Sequence, residues 1–261
     1  MKKDQFIVVC ADNPQSAERL IPTAHHMSEH LHKDIILLTC APDGDTWVKN
    51  FGVPYIAMHG GDWKTVIDSL PTAFNAVLAI TLCNTSAPRK DCTHPKQVIK
   101  NFRECKVAYL VMNTEFRKSK IEILNTALTI DHLRESKEKL IWASYMARFL
   151  NSRIRILHFD YRDATLRMRW HNNMRYLDKI FSGLNITYST EVVQGSELGN
   201  PDLAALKIGN IDLFIFLVPD KRDRDLGDLF TSSPELRILQ NDRHLPILML
   251  NQRDDLYIMC D

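Results

Sequence analysis

The densest group of candidate metal ligands in the sequence is His25, His26, His30 and His32. In a helix, His26 and His30 stand one turn apart, a spacing that can chelate a divalent cation. No glutamate completes an H-E-x-x-H pattern, and histidines crowding a helix end are usually solvated, so no metal site is expected there. Cys83, Cys92 and His94 form a second set, but their thiols are too far apart in sequence for the usual zinc pair and no second close pair follows. Buried or loop thiols are the plainer reading. Arg162, Arg167, Arg169, Arg175 and Lys179 are interleaved with Trp170, Met174, Tyr176, Leu177 and Phe181. Such a stretch suits an acidic partner or nucleic acid, but an amphipathic helix laying its apolar side on a sheet has the same form and is the reading adopted. Acyl transfer would need a G-x-S-x-G elbow, and Gly195-Ser196 lacks the second glycine. A phosphoreceiver site would need an acidic pair and a lone aspartate, which Asp12 and Asp62 supply only in part. No grouping points to catalysis.

The chain has 261 residues, 45% apolar and 25% charged, enough for one large domain or two of ordinary size. Its 33 basic and 32 acidic side chains leave no basic excess of the kind nucleic-acid binding relies on. Cys10, Cys40, Cys83, Cys92, Cys105 and Cys260 are scattered and read as reduced thiols of a cytoplasmic protein. The first apolar run, Phe6 to Cys10, is too short for a signal peptide or a membrane span, and neither a leader nor a membrane partner is expected.

The elements that would position these residues occur twice. Ser16-Ala17-Glu18-Arg19-Leu20-Ile21 has a near twin in Ser136-Lys137-Glu138-Lys139-Leu140-Ile141. Each follows an apolar run taken as a strand, Phe6 to Cys10 and Ile121 to Leu124. Each opens a helical pattern; in the second, Leu140, Ala143, Ala147 and Leu150 set the buried face, broadened by Tyr145, Met146 and Phe149. Further strands match in order: Asp34 to Cys40 with Arg153 to Phe159, Tyr55 to Gly60 with Thr190 to Gly195, Asn75 to Ile80 with Ile211 to Phe216, and Val107 to Asn113 with Leu245 to Asn251. Strands alternating with helices indicate βαβ units and a parallel sheet, and strands this apolar are buried on both faces. The polar stretch Thr114 to Ser119 divides a first domain, residues 1–117, from a second, residues 118–261.

This doubled layout, with glycine closing the third strand, resembles the universal stress protein family. The Val192-Val193-Gln194-Gly195 turn, the Ile211-Asp212-Leu213 segment and the last strand Leu245-Pro246-Ile247-Leu248 are similar to family motifs. The resemblance implies an α/β fold: two tandem doubly wound, mostly parallel five-stranded sheets of the adenine nucleotide alpha hydrolase-like type, order 3-2-1-4-5, packed as a pseudo-dimer. It implies pairing through the last strands, either inside the chain or in a homodimer, since an uncovered apolar edge is an aggregation hazard. The tail Gln252 to Asp261 would cover the joint.

In ATP-binding members of that family an aspartate follows strand one, and a glycine-rich loop, G-x2-G-x9-G-[ST], follows strand four. The corresponding nucleotide positions here are Asp12, Gly60, Gly195, Ser232 and Ser233. Glycines in such a loop let backbone N–H groups close on phosphates. No glycine occurs between Gly61 and Gly183, so the loop Asn84 to Pro95 has none, and the second copy carries Pro219 and Arg222 at glycine positions. The aspartate is expected to be missing from the second domain, where Thr126, Ala127 and Leu128 stand nearby, and Asp220, Asp223, Asp225 and Asp228 outnumber Lys221, Arg222 and Arg224. ATP binding of the family's kind is therefore expected to be lost in the second domain and is left open in the first. The resemblance implies a binding or regulatory protein of the stress response with no cofactor, no enzymatic activity, no nucleic-acid partner and an unidentified protein partner. The alternatives are an ATP- or AMP-binding protein or weak ATPase with an altered pocket around Asp12 and Ser233, and a scaffold acting through the Arg-rich face.

Overall fold

The computed structural model describes residues 5–58, 75–105, 107–116, 122–194, 200–218, 233–240 and 245–251. The chain divides into two compact units, Met1–Glu122 with Asp242–Leu248, and Ile123–Asn241 with Met249–Asp261.

In the first unit β1 (Phe6–Cys10) leads into helix α1 (Pro14–Leu31). The helix starts where the Asn13 side chain accepts the Ser16 N–H at 2.8 Å and Pro14 supplies a preset φ in the first turn. It stops at His32, whose φ of 54° is left-handed. Ala17, Leu20, Ala24 and Met27 recur at helical spacing and are buried against the sheet side of the unit. There follow β2 (Asp34–Thr39), the short helix α2 (Gly44–Trp47), a 3-10 turn (Val48–Phe51), β3 (Tyr55–Ala57), β4 (Ala76–Cys83), α3 (Pro95–Glu104) and β5 (Ala108–Asn113). The order is β3-β2-β1-β4-β5, and each of these neighbours pairs in parallel. Every residue of β5 is buried, as a strand covered on both faces requires. At Gly44 an added Cβ would meet the Thr39 methyl at 2.5 Å, so α2 packs on β2 only because that residue has no side chain.

The second unit repeats the plan. It contains β6 (Asn125–Thr129), a 3-10 turn (Arg134–Glu138), α4 (Lys139–Phe149), β7 (Arg153–His158), α5 (Ala164–Gly183) and β8 (Tyr188–Val192). Then come α6 (Pro201–Ala205), β9 (Leu213–Val218), α7 (Pro234–Leu239) and β10 (Ile247–Asn251). The order is β8-β7-β6-β9-β10, and β8 with β7, β7 with β6 and β6 with β9 pair in parallel. Strand β10 is divided: its first residues are grouped with the first unit and those from Met249 with the second.

The observed order matches the expected 3-2-1-4-5 in both copies, but three elements differ from expectation. The first strand of the second unit is Asn125–Thr129, not Ile121 to Leu124. All five of its residues are buried although two are threonines, because Thr126 pairs its hydroxyl with Ser152 at 2.8 Å and Thr129 bonds to Asp202. Strand β8 lies two residues earlier than expected, at Tyr188–Val192, and is an outer strand with no fully buried residue. On α4, Leu140, Ala143 and Met146 are buried as expected, whereas Tyr145 and Phe149 are exposed and stack on each other with centroids 6.0 Å apart. The Arg-rich segment is the long helix α5, which buries Asn173, Leu177 and Phe181 at helical spacing. No helix among the described residues is long and apolar enough to cross a membrane.

Candidate functional site

Beside β1 lie β2 on one side and β4 on the other, the point where strand order reverses and open α/β sheets bind ligands. A cleft of about 440 Å³ opens there in the first unit. Its walls come from three strand ends: Asp12 after β1, Asn84 after β4 and Thr114 after β5. Ser16 and Arg19 of α1 face it from the helix side, and the Arg19 guanidinium donates to the Thr114 carbonyl. A small adjoining pocket of about 20 Å³ shares Asp12 and Cys92 with the cleft and is further lined by Cys10, Thr81, Asn101 and Tyr109.

Asp12 is half-buried, and its carboxylate accepts the Cys92 thiol. Burial, with the Asp12 charge beside it, pushes the Cys92 thiol well above its ordinary range. Cys92 therefore stays a protonated donor and is a poor nucleophile at neutral pH. Cys10 is pushed up in the same way, by burial first and then by Cys105, Asp12 and Cys40 around it. Burial pushes Cys83 up to about 12. Asp91, at the rim, accepts both the Thr93 N–H at 2.8 Å and the Thr93 hydroxyl at 2.7 Å.

The loop after β4 spends its N–H groups on itself. Asn84 N donates to Thr93 O at 2.8 Å, Asp91 N to Pro88 O at 2.9 Å and His94 N to Asp91 O at 3.0 Å. Ser86 N and Ala87 N both donate back to Asn84. A loop closed in this way offers few donors to a phosphate, which needs several at once.

The shift of β6 restores a residue that sequence reasoning had placed out of reach. Asp131 follows β6 at the same remove as Asp12 follows β1, so the expectation of a missing aspartate in the second unit is corrected. Its carboxylate accepts the Leu133 N–H at 2.8 Å, its N–H donates to the Ser136 hydroxyl at 3.2 Å, and its carbonyl accepts from Asn173 at 2.8 Å. Nearby, the His158 Nδ1–H donates to Phe159 O at 2.9 Å and the ring stacks on Trp170 with centroids 4.4 Å apart. Below this edge Lys139, only 2% exposed, donates to Thr129 at 2.7 Å and lies 3.6 Å from Asp202. Burial raises the Asp202 pKa, with Lys139 and Thr129 pulling it back down.

Of the residues singled out from sequence, Asp12 lines the first unit's cleft and Ser233 stands in the second unit, at the N-cap of α7, where its side chain makes no capping bond. Gly60, Gly195 and Ser232 lie outside the described residues, as do Asp62, the loop from Pro219 to Asp228 and the tail Gln252 to Asp261. His30 Nδ1 donates to the His26 carbonyl at 2.8 Å, and His94 Nδ1 accepts the Lys96 N–H at 3.2 Å as the cap of α3. Among the described residues no group of three or more metal-binding side chains comes together. In the sequence Cys92 stands out only as a zinc candidate; its partner Asp12 lies 80 positions away, and no local pattern announces that contact.

No family model matches the chain, and no curated protein does. Solved structures do. A universal stress protein from Archaeoglobus fulgidus DSM 4304 matches with a TM-score of 0.64 at 10% identity, over 96% of this chain and 97% of that one. A putative universal stress protein from Pseudomonas aeruginosa UCBPP-PA14 matches with a TM-score of 0.62 at 13% identity, over 97% and 94%. The cytoplasmic domain of a prokaryotic cation chloride cotransporter matches with a TM-score of 0.60 at 11% identity, over 98% and 100%. At these identities the likeness is one of architecture: from end to end, the chain has the fold seen in universal stress proteins.

Proposed function

We propose that this chain is a universal-stress-protein-like binding and regulatory protein with no chemistry of its own, its halves paired through their last strands as a pseudo-dimer. The observation that carries the reading is the first unit's cleft, a polar opening at the edge where open α/β sheets bind ligands, whose rim thiol, Cys92, is held protonated by burial and by the Asp12 carboxylate. A cleft of that size suits a small ligand. Triphosphate binding of the family's kind is disfavoured there, because the loop from Asn84 to Pro95 lacks glycine and its N–H groups are largely spent. In the second unit Asp131 supplies one part of the nucleotide pattern, and Pro219 and Arg222 replace two of its glycines. Calorimetry with ATP and AMP on the full chain is expected to show no saturable heat. Micromolar binding abolished by Asp12→Ala would instead establish the nucleotide-binding alternative.

A second reading, the cytoplasmic regulatory part of a transport system, is favoured by the end-to-end likeness to a cotransporter domain. Recovery of the chain with the membrane fraction of its cells, bound to a transporter, would select it.

A further inference from the structure

We infer that β8, the outer strand of the second unit, is a self-pairing edge at which two copies of this chain join antiparallel. The backbone sets the register. Val193 N donates to His158 O at 2.8 Å, and β8 follows β7 residue for residue from Tyr188 to Val192 without a bulge. Backbone groups alternate sides along a strand, so Glu191 and Ser189 also turn towards β7. The N–H and C=O of Tyr188, Thr190 and Val192 then point away from it, and among the described residues no strand pairs with that side. Edges of this kind are ordinarily blunted by brevity, proline, lysine or a bulge. The outer strand of the first unit, β3, is three residues long and preceded by Pro54. By contrast β8 runs for five residues, Tyr-Ser-Thr-Glu-Val, and its one charge, Glu191, is engaged by Arg155 of β7. Val192, at its end, is 53% exposed.

Symmetry makes a second copy the occupant. The outward residues are spaced evenly about Thr190, so a two-fold axis there sets Thr190 opposite its twin and Tyr188 opposite Val192 of the second copy. All of these are positions at which facing residues exchange both N–H···O bonds. Tyr188 with Val192 is an aromatic–β-branched pair and Thr190 with its twin a hydroxyl pair, both favourable across strands. On the other face Ser189 stands opposite Glu191, so no like charges meet directly. Tyr188 is held ready by its own unit, its ring T-shaped against Phe181 at 5.7 Å and its hydroxyl donating to Asp178. An unrelated extended peptide would satisfy the same amides, but a copy of β8 also matches the side chains. Contact between two such strands is small beside the roughly 1,200 Å² that stable complexes bury, so the pairing is reversible.

The test is sedimentation velocity of the full chain over about a hundredfold range of concentration, across which mass action should carry it from monomer to dimer. Thr190→Pro removes an outward N–H and spares the ladder to β7, because proline is tolerated on the open side of an edge strand. It is expected to stay monomeric throughout, while melting within about 4 °C of the parent when both are dilute. Thr190→Lys, at an exposed position, sets two ammonium groups opposite each other at the axis, and Thr190→Glu sets two carboxylates there. Each alone is expected to weaken association about fivefold or more. An equimolar mixture of the two is expected to dimerise at least as well as the parent, since opposite charges then face each other. A merely structural role for Thr190 would give no such recovery. If Thr190→Pro proves unfolded, the lysine and glutamate variants carry the test by themselves. A parent that is monomeric at every concentration overturns the inference. So does a dimer that survives both Thr190→Pro and Thr190→Lys, or one lost in the charged variants and not restored on mixing them.

Discussion

Lys139 and Asp202 form a buried pair closed by the Thr129 hydroxyl, and such a pair holds only while both charges are present. Lys139→Met or Asp202→Leu alone is expected to cost about 3–5 kcal/mol in chemical denaturation, because each leaves an uncompensated charge, while the double substitution should be close to neutral. The pair also sets a pH dependence. Burial puts the folded-state pKa of Asp202 above its unfolded value, so between those two values the folded chain holds more protons. Its contribution to stability is then greatest on the acid side and declines as pH rises from the ordinary carboxylate range through the raised value. Asp202→Asn should flatten that slope in denaturation curves taken across the window; an unchanged slope would show that the group does not titrate on unfolding. At this scale the sequence was only partly legible. Asp12 could be picked out by its place after an apolar run, but nothing in a linear string places Cys92 on its carboxylate or Asp202 beside Lys139. Those contacts join positions 80 and more than 60 residues apart.

Strand order was legible because fully buried parallel strands are continuous apolar runs, and five such runs recur in each half. Boundaries were less so. Strand β6 reads Asn-Thr-Ala-Leu-Thr, and its threonines hide their hydroxyls in bonds to Ser152 and Asp202, so the more apolar Ile121 to Leu124 looked like the strand. The four-residue displacement of the start concealed Asp131. On α4 the apolar period was misread in width: Tyr145 and Phe149 lie on the outer side, where the stack between them and the Arg148 guanidinium over Phe149 replaces core packing. The junction of α2 with β2 is a sharper case of an element depending on one atom. Gly44→Ala should destabilise the chain by about 1–3 kcal/mol in thermal or chemical melts, the cost of overpacking, because its methyl would meet Thr39 at 2.5 Å. Adding Thr39→Ser, which removes that methyl, should recover part of the loss. A neutral Gly44→Ala would mean that α2 can lift off β2 freely.

Across the whole chain, β10 is the feature that sequence order conceals, since its first residues belong with a unit otherwise built from the chain's opening stretch. Its residues Ile247 and Leu248 are grouped with the first unit, whose strand β5 is buried throughout. A chain ending at residue 241 is accordingly expected to lose hydrogen-exchange protection in β4 and β5, although both strands are intact in its sequence. Full protection in the shortened chain would show that the first unit stands without that strand. The same arrangement bears on biosynthesis. Ribosomes deliver β5 long before residue 248, so the nascent first unit lacks Ile247 and Leu248 while β6 to β9 are being made. Chaperone demand should therefore peak during elongation, and fall when β10 leaves the exit tunnel.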